Sequence, residues 1–325
     1  RKSSGEQGSW GVGKNVFPRC SRINSYIAFT VRRDDERMLI MGKSILKIRR
    51  VEDKQYQPPV YLASSWEPGE VPLPLEDSAV VAQLREDFDV SRHDEPGLSL
   101  VMPWVYDSLR SDEILEDVVS QYYYPILAGT LRVDLDLNGS RFSLTSSTIL
   151  DAVRRTPELQ AVRPHVELAA WAQSVRSDDM IKLLTASPPE GPQKWDPQMV
   201  SDEVRGAIKD KLDRRERVSI RVPLYIRHKK RGNGEPIRTH FDVFLEHDDS
   251  EHPDTKPRFF REMLCINDVK RATGAQRIRS LVIIEDDPIA ELLRNAEPPN
   301  HSDWAAGTAN FKGVYLHGTH VVTFV

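Results

Sequence analysis

Cysteine is nearly absent. Two residues of 325, Cys20 and Cys265, are too few for a disulfide framework, so the fold must rest on its apolar core. No apolar run approaches the roughly 18 residues that a membrane-spanning helix needs, which predicts no membrane partner. A positive excess is lacking too: 45 Lys and Arg stand against 49 Asp and Glu, a formal net charge of −4. This excludes a chain that holds nucleic acid through its global field and leaves only local basic faces. There is no internal repeat. Few thiols and no membrane span predict a cytoplasmic setting.

What is present is a balanced globular composition, 39% hydrophobic and 29% charged, which rules out wholesale disorder. The length is about twice that of a common single domain, so two domains are expected, with roughly three quarters of the unfolded surface buried. The chain begins without Met in a polar, Gly-containing stretch. It ends in Val321-Val322-Thr323-Phe324-Val325, which reads as a strand. We therefore expect a segment of a larger protein, cut at both ends.

Hydrophobic periodicity and turn residues give the organisation. A helix is predicted over 13–23, then a hairpin of 25–31 and 38–48 around the charged turn Arg32-Arg33-Asp34-Asp35-Glu36. Residues 52–78, rich in Pro and polar side chains, read as a long surface excursion. A helix over 77–88 precedes a strand over 98–102. Ser111, Asp112 and Glu113 mark the start of a helix whose Ile114, Leu115, Val118, Val119 and Tyr122 share a face. Asn138-Gly139 predicts a tight hairpin turn between strands 130–137 and 140–144. Residues 147–215 read as mainly helical. Strands follow over 218–226, 239–245, 258–264 and 279–285, with a helix over 288–295. The expected class is α+β, with helices layered on sheets, and the domains run 1–145, 146–215 (a helical connector) and 216–325.

The most informative residues are Gly8-Ser9-Trp10-Gly11-Val12-Gly13-Lys14-Asn15, ahead of the first predicted helix. Glycines at 8, 11 and 13 let backbone amides converge on an anion. The helix start adds its dipole and Lys14 a point charge, together a phosphate cradle. A Walker-type loop fits Gly-x-x-x-x-Gly-Lys, but Asn15 replaces the magnesium-binding Ser or Thr and no apolar strand precedes it. A plain glycine-rich surface loop is the bland alternative.

Gly8-x-x-Gly11-x-Gly13-Lys14 resembles the glycine box that ends the ATP lid of the GHKL ATPases, the superfamily of gyrase B, MutL, sensor histidine kinases and the heat-shock chaperones related to them. The order of elements after it is similar to that family: a helix, an antiparallel pair, then Gly97-Leu98-Ser99-Leu100-Val101-Met102-Pro103, with Leu98 where the family carries Thr. Tyr122-Tyr123-Tyr124-Pro125-Ile126 resembles the end of the chaperone-type nucleotide domain. Residues 238–245, 280–288 and 296–304 are similar to stretches in the second domain of bacterial chaperone-like members.

The resemblance implies the C-terminal part of a Bergerat-type, two-layer α/β ATP-binding domain followed by a transducer-like α/β domain. It implies ATP and Mg2+ as ligands, with Gly8, Gly11, Val12, Gly13, Lys14 and Asn15 at the phosphates. Arg261 and Lys270 are its candidates for the basic residue that meets the γ-phosphate. Lid closure would then switch a partner or a homodimer. The family's catalytic Glu and magnesium-binding Asn precede the lid, and neither motif occurs before Gly8. This segment alone is thus expected to be inactive.

A second reading, from a different class, is a non-catalytic docking module for protein or nucleic acid. The basic tip His228-Lys229-Lys230-Arg231 and the ordered-looking loop around His301, Asp303 and Trp304 motivate it. His247 with His252 and His317 with His320 have spacings compatible with weak metal sites but read more often as surface loops, and Asp134 with Asp136 on one strand face fits solvent exposure as well as nuclease chemistry.

Overall fold

The computed structural model describes residues 16–64, 71–184, 188, 191–231, 234–270 and 274–325. The chain forms two compact units, Arg1–Arg110 and Ser111–Val325.

The first unit is an antiparallel sheet with a helix on it. After the four-residue α1 (Val16–Arg19), strands β1 (Ser25–Val31) and β2 (Met38–Ile45) form the expected hairpin, with Phe29 opposite Ile40. A short ribbon, β3 (Arg49–Val51) and β4 (Lys54–Tyr56), stands apart, and β5 (Pro59–Leu62) pairs with β2. The stretch expected to be a pure surface excursion therefore supplies an edge strand. Helix α2 (Ser78–Asp87) starts where Asp77 accepts from the amides of Ala79 and Val80, satisfying two orphan donors. Its Val81 closes on Phe29 and Ile40, all three buried. Strand β6 (Gly97–Val101) lies beside β1, giving the order β5-β2-β1-β6. The helix expected over 13–23 is described only as α1.

The second unit opens with α3 (Ser111–Leu127), whose Leu115, Val119, Tyr123 and Ile126 are buried at helical spacing. Hairpin β7 (Val133–Leu137) and β8 (Ser140–Leu144) turns at Asn138 and Gly139, both left-handed at φ 54° and 88°, as the Asn-Gly pair dictates. Helices α4 (Ile149–Arg155) and α5 (Arg163–Ser174) follow, then β9 (Ile181–Lys182) and α6 (Asp202–Asp213). The main sheet is built from β10 (Val218–His228), β11 (Pro236–His247), β12 (Arg258–Arg261), β13 (Leu264–Ile266) and β14 (Ile278–Ile284). Helix α7 (Asp287–Ala296), β15 (Tyr315–Leu316) and α8 (Gly318–Phe324) complete it, and the strand order is β13-β12-β14-β11-β10-β15 with β9 also on β10.

Alternation along β14 sends Leu281 and Ile283 to one face, under α3, α4 and α5. Val282 and Ile284 go to the other, under α6, α7 and α8. The sheet is thus covered by helices on both faces. Because α3 and the β7–β8 hairpin share the core of α5 and β14, they belong with the second unit, whereas the sequence reading set the first boundary at 145.

The C-terminal residues are a second correction. Val321 and Phe324 sit in α8, not in a strand, three residues apart and both buried, with Phe324 edge-on to Phe241 at 6.3 Å. Packing overrides the β-propensity of the Val-Val-Thr run here. Gly318 makes the entry possible, since a Cβ there would stand 2.7 Å from the Phe311 ring.

Candidate functional site

The glycine-box residues Gly8, Gly11, Val12, Gly13, Lys14 and Asn15 lie outside the described residues. The other two sequence candidates, Arg261 and Lys270, are described, and one loop joins them.

Arg261 ends β12 with its side chain wholly buried. Nε and Nη2 grip the two carboxylate oxygens of Glu297, the second at 3.0 Å, and Nη1 donates to Glu262. Glu297 is the C-cap of α7 and is itself fully buried. Glu262, held at φ 53° in the β12–β13 turn, also accepts from Arg294 at 2.5 Å. The same Glu297 carboxylate meets His301 Nδ1 at 2.7 Å and accepts from Trp304 Nε1 at 3.4 Å. Trp304 then packs edge-on against Phe259 at 5.4 Å. A buried, multiply bonded ion pair of this kind fixes geometry, and it leaves Arg261 turned inward on carboxylates.

Lys270 is on the other side of that loop. The Asp268 amide donates to Ser302 O at 2.7 Å, and the Asp303 carboxylate accepts from the amides of Trp304 (2.8 Å) and Lys270 (3.4 Å). The Lys270 ammonium stays exposed, 3.9 Å from Asp303. Upstream, Asn267 bonds to Gln121 of α3 and accepts from the Cys265 thiol at 2.9 Å. Burial pushes that thiol up to about 11, so Cys265 is an inert, protonated core residue rather than a nucleophile.

Loop 297–304 therefore gathers Arg261, Lys270, His301, Asp303 and Trp304, five residues that the sequence singled out separately. What sequence reasoning missed is the hub, Glu297. Its signal was present, a Glu directly after a helix and before Pro298-Pro299, but nothing in spacing tied it to Arg261, 36 positions earlier. Chemically the hub orients an imidazole and presents an ammonium. Among the described residues no Ser or Cys bonds to His301, so nucleophilic catalysis has no structural basis there.

The remaining motifs resolve more simply. At the basic tip, His228 Nδ1 accepts from the amides of Lys230 and Arg231, and Arg231 makes a two-pronged contact to Glu291 of α7 at 2.8 and 3.0 Å. The tip is folded back and part-neutralised. Asp134 and Asp136 are exposed partners of Arg132 and Arg141. His317 and His320 face each other edge-on with ring centroids 6.3 Å apart. No three His, Cys, Asp or Glu side chains converge as a metal site among the described residues. No helix among them is long and apolar enough to cross a membrane. No protein-family model matches this chain, nor does any curated protein or solved structure.

Proposed function

We propose that the chain is the lid-to-transducer portion of a GHKL-type ATPase, which binds ATP with Mg2+ and uses lid closure to switch a partner or a homodimer. The observation that supports this most is the first unit's layout. The β1–β2 hairpin directly follows the glycine box and α1, and the Gly97 strand is laid back beside β1, all antiparallel. A Walker-type reading would call for a parallel sheet behind the loop, and the four-stranded sheet has no parallel pair among the described residues.

In this reading Gly8, Gly11, Val12, Gly13, Lys14 and Asn15 cradle phosphate through backbone amides and one ammonium. Magnesium enters with the ATP phosphates, and no described residue is assigned to it. Of the two basic candidates for the γ-phosphate, Lys270 takes the role, because its ammonium is exposed and loosely paired. Arg261 acts as a positioning residue, holding Glu297 and through it the loop that seats Lys270. The docking alternative draws less support from the basic tip, since Arg231 is already committed to Glu291.

The test is calorimetric titration of a non-hydrolysable ATP analogue with Mg2+ into the full-length protein. Binding is expected in the micromolar range, and Lys14→Ala should weaken it by about tenfold or more, the loss of one charge-assisted contact. Absence of binding by the unaltered full-length protein would sink the assignment.

A further inference from the structure

We propose that a cleft on the polar half of the β10–β11 face binds a small organic molecule bearing an oxyanion, phosphate or carboxylate, anchored by Lys182 and Arg238. The proposal is independent of the ATPase reading.

Register builds the cleft. On one face of the hairpin Arg221 stands opposite Asp242, Pro223 opposite His240, and Tyr225 opposite Arg238. Farther along the same face is core: Phe244 lies edge-on under Trp171 of α5 at 5.8 Å. Toward the hairpin tip that cover ends and polar side chains take over. The strand β9 runs parallel to β10, with Lys182 beside Arg221, and walls one side. The resulting cleft holds about 340 Å3 and reaches Asp286, the N-cap of α7. That is the low end of small-molecule sites, which run from about 300 Å3.

The charges differ in how far they are already satisfied. Arg221 is spent on Asp242, two bonds of 2.8 Å, and on Ser177 Oγ at 2.6 Å, so it shapes the wall. Asp286 accepts from Thr239 at 2.5 Å and lies 3.8 Å from His240. Among the described residues Lys182 has only Asp178 at 3.8 Å, an exposed pair of little strength. The Arg238 guanidinium has no hydrogen bond or ion pair among the described residues.

Two cations that line one cleft thus lack firm partners, while the nearby acids Asp242 and Asp286 have theirs. The backbones carrying Lys182 and Arg238 are about four residues apart along β10, roughly 13 Å, and about two strand spacings apart across it, roughly 10 Å. Both side chains line the cleft and are long enough to reach a single acid group bound within it. Asp286, which lines the same cleft, disfavours a bare ion. It selects a molecule that also carries a hydroxyl or amino donor, which Asp286 and His240 receive, with its carbon frame against Leu183 and Pro223.

Isothermal titration of the full chain with glycerol 3-phosphate and, separately, with malate tests this and tells phosphate from carboxylate. One of the two is expected to bind near or below ~1 mM, less tightly as salt rises. Arg238→Glu and Lys182→Glu should each weaken binding about tenfold or more, while exposed Lys312→Glu leaves it unchanged. Lys14→Ala should also leave it unchanged, which separates this cleft from the glycine box. Both test positions are surface side chains, and an unshifted melting curve verifies that the variants fold. The proposal is overturned if neither acid binds, or if both cleft variants bind as the unaltered chain does.

Discussion

Arg261 and Lys270 illustrate how burial divides residues of like charge. Arg261 has no exposed surface and shares the Glu297 carboxylate with His301 and Trp304. Removing it by Arg261→Met strands a buried carboxylate, a change that costs about 3–5 kcal/mol in other proteins. Replacing both partners by apolar residues would not restore the loss here, because His301 and the Trp304 indole would then lose their acceptor. Lys270 is three quarters exposed, so Lys270→Ala should change stability by less than about 0.5 kcal/mol. Urea unfolding of the two variants beside single-turnover ATP hydrolysis in the full-length protein separates their roles. The expected pattern is an unstable Arg261→Met and a stable, hydrolysis-deficient Lys270→Ala. A Lys270→Ala protein with unaltered turnover would remove Lys270 from the proposed γ-phosphate role.

Tyr123 and Tyr124, adjacent on helix α3, have opposite needs. Both pack on Phe260, with ring centroids 4.9 and 5.0 Å away. The Tyr123 hydroxyl is buried without a hydrogen-bond partner among the described residues, and burial pushes its ionisation up. The Tyr124 hydroxyl donates to Glu285 at 2.5 Å, and burial together with that carboxylate pushes its ionisation up as well. Tyr123→Phe should therefore be neutral or stabilising by up to ~1 kcal/mol, and Tyr124→Phe destabilising by about 1–3 kcal/mol. Thermal melts of both variants decide this, and equal losses would refute it.

The same helix shows what sequence can reveal about an element. Ile114, Leu115, Val118 and Val119 announced its existence and its buried side, and Asn138-Gly139 announced the next turn, because these signals are local. Which core α3 joins is not local. It depends on Phe260 and Cys265, more than 130 residues later, so the domain boundary was not legible where the helix was. The Arg261–Glu297 pair and the Lys182–Arg238 cleft escaped for the same reason. The first joins the end of β12 to the residue after α7, and the second needs β9 and β11 on either side of β10, so neither is written in local spacing. Val321–Val325 misled in the opposite way, since a β-branched run was locally convincing and the groove on Phe241 decided otherwise.

At the scale of the second unit as a whole, acid should loosen the fold in two separable steps. His165 on α5 is buried against Asp254, with Nε2 3.0 Å from the carboxylate, and Arg258 bonds the same Asp254. Arg279 stands behind, tied to Glu246 and Asp248, and Glu116 of α3 lines the adjoining cavity of about 320 Å3. Burial lowers the His165 pKa, aided by Arg258 and Arg279, and outweighs the pull of Asp254. The hydrogen bond from His165 and the charges around it hold Asp254 far below the usual carboxylate range. A histidine depressed in the folded state binds its proton more readily once unfolded, so stability falls as pH drops below the unfolded value near 6.5. The depressed aspartate adds a second loss of the same sign only as pH falls through about 4. Urea midpoints measured from pH 8 to pH 3 should thus decline in two stages. His165→Gln, which keeps a donor for Asp254, should flatten the upper stage and spare the lower one. If the variant loses stability between pH 7 and pH 5 as steeply as the unaltered protein, the upper stage belongs to another group and His165 is not its source.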